Sequence, residues 1–167
     1  KLSMMPQVLM NTVKTIAMVF SLIAAAGAFG WMLAFLKVPT LITHFVLGIS
    51  DNTIVIFLFM NLLLLFLGAI MDMAPLIVIM TPILLPVAKA CGMDPVQFGV
   101  MLIFNLAIGL CTPPVGSALF VGCGIAKLSI EEVGKTMLPM YAAMIVGLML
   151  VTFIPALTMY LPAAMGY

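Results

Sequence analysis

The stretch NLAIGLCTPPVGSALFV, residues 105–121, sets the architecture of this chain. It lies within residues 96–126, a run of 31 with no charged side chain. A membrane-crossing helix needs about 20 apolar residues, and here two adjacent prolines, Pro113 and Pro114, interrupt the run near its middle. In a continuous helix the amide of residue 113 bonds the carbonyl of Gly109, and that of residue 114 bonds the carbonyl of Leu110. Proline has no amide, so both carbonyls are expected to be freed. Thr112, preceding proline, is expected to be extended. Proline is well tolerated in a first turn, so a second helix is expected to restart at Pro113 or Pro114. The amides of Val115, Gly116 and Ser117 then stand unpaired at its N-terminus. Freed carbonyls with the Thr112 hydroxyl suit a hard cation such as Na⁺, and the positive end of the second half-helix suits a carboxylate. Secondary transporters build their sites in this way. A proline kink that only shapes a helix bundle is the plainer alternative.

Composition fixes the solvent. Of the 167 residues, 66% are hydrophobic and 7% charged, against about 45–50% and about 25% in soluble domains. The chain is therefore read as an all-α integral membrane protein. Six Lys, no Arg and five acidic residues give a net charge of +1, which excludes a nucleic-acid surface. Three cysteines (Cys91, Cys111, Cys123) in apolar surroundings form neither a disulfide framework nor a metal motif, and they read as small core residues. No HExxH, GxSxG or paired intramembrane Asp is present, so no enzyme is expected.

Working outward, residues 15–36 are uncharged and give a first transmembrane helix within 1–37. Its small residues, Ala24 to Ala28 and Gly30, suit close helix packing. Residues 38–53 read as an interfacial amphipathic helix with His44 on its wetter side. Residues 52–71 are again uncharged, but the next apolar run, 76–88, is short and interrupted by Pro82 and Pro86. Two apolar arms joined with almost no polar connection predict a re-entrant hairpin over 54–90; two ordinary crossings are the other reading. A broken transmembrane helix follows over 95–127, then a final one over 128–167. Ser129 with Glu132 has capping-box spacing. Counting lysines, Lys1, Lys14, Lys127 and Lys135 fall on one face and Lys37 and Lys89 on the other, which places the 127–135 loop in the cytoplasm.

Within the hairpin, Gly68 lies deep enough to let backbone approach an ion or a helix. Asn61 and Asn105 are intramembrane amides that either brace a site or glue helices together. Asp72, an acid at the membrane edge, is a functional candidate, with helix capping as the plainer role.

Three strings then carry a resemblance: LFLGAIMD (65–72), PILLPVAKACGMDPVQFGV (82–100) and NLAIGLCTPPVGSALFV (105–121). They resemble the C-terminal part of the large membrane subunit of tripartite ATP-independent periplasmic (TRAP) transporters, most specifically at GMDP and TPPVG. The resemblance implies an inverted-repeat elevator fold of the ion-transporter superfamily, of which this chain holds one repeat. It implies Na⁺-coupled import of an organic acid (a C4-dicarboxylate, sialic acid or another sugar acid) across the bacterial inner membrane. The implied partners are a periplasmic substrate-binding protein, a small Q-type membrane subunit and the remaining N-terminal half of the large subunit. The implied sodium site falls on Gly68, Gly109 and Thr112, with the Val115 carbonyl beside them. Asn61, Asp72, Asn105, Pro113, Pro114, Gly116 and Ser117 support the site or the substrate. Where family members often continue TPPVG with Leu-Asn, this chain has Ser117-Ala118. A structural or assembly subunit without a site is the alternative.

Overall fold

The computed structural model describes residues 5–49, 52–113 and 116–166. The described residues form eight helices: α1 (Met5–Phe35), α2 (Val38–Ile49), α3 (Thr53–Ile70), α4 (Met73–Ala90), α5 (Pro95–Leu110), α6 (Ser117–Ala126), α7 (Ile130–Phe153) and α8 (Pro155–Ala164). Four segments are long and apolar enough to cross a membrane: α1, α3, α4 and Thr136–Phe153 of α7. The protein is all-helical and multi-pass in character.

Local chemistry sets the ends. Asn52 caps α3 by accepting from the Ile54 amide at 3.0 Å, and Asp94 caps α5 by accepting from the Val96 amide at 2.7 Å. Ser129 and Glu132 form the reciprocal capping box at the start of α7. Gly92, at φ 85°, turns the chain between α4 and α5 in the left-handed region that glycine enters at no steric cost.

One expectation is corrected here. The second arm of the hairpin is not a short, broken run: α4 is an unbroken 18-residue helix that carries Pro82 and Pro86 inside it. The prolines stand four apart, so the amide that Pro86 lacks is the one the Pro82 carbonyl would have accepted. The ladder is thinned along one strip without a break. The final helix, in contrast, is interrupted. α7 ends at Phe153 and α8 begins at Pro155, with Ile154 extended between them at φ −115°, ψ 90°.

The core is built by α3, α4 and α5 with one contribution from α7. Met60, Leu64, Leu76, Val87, Phe98, Met101, Leu106 and Leu148 are almost fully buried. α1 stands outside this body: Ala26 is buried, while Trp31, Phe35 and Met18 are exposed. Of its small residues, Gly30 makes room for the Pro82 ring of α4, whose Cγ would lie 3.8 Å from a Cβ there, whereas Gly27 faces open space. His44 is exposed on α2. Exposed apolar faces of this extent are ordinary where the surroundings are hydrocarbon or further protein.

Candidate functional site

α3 and α5 meet at two glycines. A Cβ on Gly109 would lie 2.5 Å from the carbonyl carbon of Gly68, 2.7 Å from its Cα and 2.9 Å from its oxygen. No side chain fits there, so the pair sets how closely the two backbones pass. The structure thus brings Gly68 and Gly109 together, one turn before the proline pair. Gly68 is less constrained, since a Cβ on it would meet the Leu106 Cδ2 at 3.3 Å.

α5 stops at Leu110, and the fate of its last carbonyls differs from the expectation. The Gly109 carbonyl is not freed; it accepts the Thr112 amide at 2.9 Å, while Ile108 accepts the Cys111 amide at 3.0 Å. The helix tightens into three-residue spacing when Pro113 removes the usual donor. The Thr112 hydroxyl donates to the Ile108 carbonyl at 2.7 Å, leaving its oxygen lone pairs toward other partners. The Cys111 carbonyl accepts the Tyr141 hydroxyl from α7 at 2.6 Å. Helix also resumes later than expected, at Ser117 rather than at the prolines. Pro114 and Val115 lie outside the described residues, as does the Ser117 side chain; Pro113 is exposed.

Gly116 closes this segment. It is buried, and a Cβ on it would lie 2.8 Å from the Thr112 carbonyl oxygen and 3.1 Å from that of Leu110. Two main-chain oxygens therefore converge on the space beside Gly116, and no described residue donates to either. Main-chain oxygens so placed are candidate ligands for a hard cation.

Asp72 occupies the N-cap position of α4, yet its side chain makes no capping hydrogen bond. It lines a cavity of about 520 Å³ together with Leu110, Pro75 and the α1 residues Met18 and Leu22. The α3–α4 turn and the end of α5 thus open into one space.

Asn61 and Asn105 form a buried polar chain. Asn105 Nδ2 donates to Asn61 Oδ1 at 2.8 Å and to the Asn61 carbonyl at 3.0 Å. Asn61 Nδ2 donates to Thr152 Oγ1 at 3.1 Å, and Thr152 donates to the Leu148 carbonyl at 2.8 Å. Asn105 is 0% exposed, and its Oδ1 has no hydrogen-bond partner among the described residues. These amides tie α3, α5 and α7 together beneath the glycine pair.

Three residues central to this arrangement were not legible as site residues in the sequence: Thr152, Tyr141 and Gln97. Gln97, buried on α5, donates to the Thr152 carbonyl at 2.9 Å and to the Val151 carbonyl at 3.3 Å. Pro155 has no amide for the Val151 carbonyl, and that missing donor is the signal in the sequence that a partner such as Gln97 was needed.

Residues 1–157 match the family described as "Tripartite ATP-independent periplasmic transporter, DctM component". The chain is 40% identical over 162 residues to the sialic acid TRAP transporter large permease protein SiaM of Vibrio cholerae, covering 96% of this chain and 38% of that protein. It is 44% identical over 146 residues to the isethionate TRAP transporter permease protein DctMQ of Oleidesulfovibrio alaskensis, covering 87% and 23%. It is 35% identical over 161 residues to the C4-dicarboxylate TRAP transporter large permease protein DctM of Rhodobacter capsulatus, covering 96% and 37%. The chain spans less than two fifths of the length of these relatives. With apolar crossing helices, a proline-interrupted α5–α6 and a match over nearly its whole length, the chain belongs to the DctM component of the tripartite ATP-independent periplasmic transporters, a family of transporters rather than enzymes.

Proposed function

We propose that this chain is part of the large membrane subunit of a sodium-coupled secondary transporter that imports an organic acid across the bacterial inner membrane. The observation that carries this reading is the segment between α5 and α6, where the Leu110 and Thr112 carbonyls converge beside Gly116 without a described donor. The donor set is all oxygen, and among the described residues no group of three or more His, Cys, Asp or Glu is found. That chemistry fits a hard monovalent cation better than a transition metal. Thr112, the Gly109 and Gly68 carbonyls and, outside the described residues, the Val115 carbonyl would hold Na⁺. The ion would supply positive charge next to an anionic substrate, and the amides opening α6 would add to it.

Sialic acid, isethionate and C4-dicarboxylates are all organic anions, which supports an anionic substrate. Relatives named for such different acids share 35–44% of this segment, so the choice among acids is read as lying in few positions or elsewhere in the protein. The same reading makes α3–α4 a re-entrant hairpin with Asp72 at its tip and gives the α3–α4–α5 body an elevator motion against a second repeat. A periplasmic binding protein and a small membrane subunit complete the transporter.

The test is uptake by the complete transporter in proteoliposomes, with a panel of organic acids in Na⁺ or in K⁺. Uptake of an anionic acid only with Na⁺ supports the reading. Sodium-independent uptake, or preference for a cation, overturns it. For the hairpin, a cysteine at Met71 reacting with an impermeant label from the face opposite Asn52 and Lys89 would show two full crossings instead.

A further inference from the structure

We propose that Tyr141 is a positioning residue for the ion site, acting through the Cys111–Thr112 peptide; this rests on the sodium reading above. The Cys111 carbonyl and the Thr112 amide belong to one rigid, planar unit. One end of that plane is held by the Tyr141 hydroxyl at 2.6 Å and the other by the Gly109 carbonyl at 2.9 Å. Turning the plane swings the Thr112 carbonyl and hydroxyl and withdraws the Thr112 amide from the Gly109 carbonyl, so all three candidate ligand groups are affected.

Tyr141 is well placed to hold it. Its helix, α7, is fixed at one end by the Ser129–Glu132 capping box and toward the other by buried Leu148 and Thr152, the latter bonded to Asn61. The hydroxyl therefore reaches the segment between α5 and α6 from a platform with its own anchors. Beside it lies a cavity of about 460 Å³, lined by Pro113, Leu138, Glu131 and Tyr141 itself. That volume has room for water. Without the hydroxyl, the Cys111 carbonyl turns toward water in this cavity, and the Thr112 amide leaves Gly109. The aromatic ring, whose packing is independent of the hydroxyl, stays in place.

Tyr141→Phe in the complete reconstituted transporter, titrated with sodium at saturating substrate, tests this. Expected is an apparent sodium affinity weaker by roughly 2- to 12-fold, the range set by the net contribution of one neutral hydrogen bond. The maximal rate at saturating sodium and the melting temperature in sodium-free buffer should stay close to wild type. Replacement by 4-aminophenylalanine, which returns a donor to the same place, should restore most of the affinity. Unchanged sodium affinity overturns the proposal. So does a loss of assembly or rate with sodium affinity intact, because either outcome makes Tyr141 a packing residue. Thr112→Val run in parallel separates the two levels. A shift in Thr112→Val but not in Tyr141→Phe removes Tyr141 alone, whereas sodium-independent wild-type uptake removes the site reading and Tyr141 with it.

Discussion

Helix α7 and helix α5 both stop at a proline and resume beyond it, but the carbonyls left behind fare differently. At the α7–α8 break a single extended residue, Ile154, separates the helices. Gln97 arrives from α5 and takes both the Val151 and the Thr152 carbonyls. At the α5–α6 break six residues intervene between Leu110 and Ser117. Gly109 and Cys111 find donors there, while the Leu110 and Thr112 carbonyls point at the space beside Gly116 with none described. A second proline pair, Pro82 and Pro86, breaks nothing. Proline in an apolar helix is therefore not itself a sign of function. On the proposed reading, a site differs from a kink in whether described donors reach the carbonyls left at the break.

The largest effect is expected where the open break rests on the α3–α5 contact. Gly109→Ala puts a methyl into the Gly68 backbone and should cost about 3 kcal/mol or more, with loss of transport and of thermal stability. Gly68→Ala, facing the movable end of Leu106, should cost about 1 kcal/mol and leave measurable uptake. Equal effects would mean that the backbones are not in contact.

Thr112→Val and Gln97→Leu should then separate the two breaks. Thr112→Val keeps the shape and removes the hydroxyl; apparent sodium affinity should fall roughly 5- to 100-fold, with Thr112→Ser mild. Gln97→Leu orphans the buried Thr152 and the half-buried Val151 carbonyls and should lower stability by about 1–3 kcal/mol, read as a lower melting temperature, with sodium affinity unchanged. The smallest effect is expected for Pro155→Ala. It returns an amide to a carbonyl that already has Gln97, so stability should change by about 0.5 kcal/mol or less and sodium dependence not at all. A sodium-affinity change in either Gln97→Leu or Pro155→Ala would erase the distinction between the breaks.

The local rules of the chain were legible and the cross-helix ones were not. Composition was enough for an all-helical membrane protein, the proline pair for a helix ending near residue 110, and Ser129 with Glu132 for the start of α7. The persistence of α4 through Pro82 and Pro86 is not readable from local pattern, because each proline leaves one carbonyl without its helical donor and the helix is held by packing against its neighbours. The restart of helix at Ser117 is likewise not set by local pattern, since proline at a first turn is compatible with an earlier start. Local periodicity can say which carbonyls lose their donors. It cannot say that Gln97 comes from 54 residues away or Tyr141 from 30. Such partners depend on how helices pack, and in an apolar chain the packing is carried by small residues and shape more than by pattern.

The most direct test of the central claim is a sodium titration of uptake by the complete transporter carrying Thr112→Val, set beside Gln97→Leu. Thr112→Val is expected to lose sodium affinity while its fold is kept, and Gln97→Leu to lose stability while its sodium affinity is kept. If Thr112→Val leaves both the sodium dependence and the maximal rate as in wild type, the open break is not the ion site.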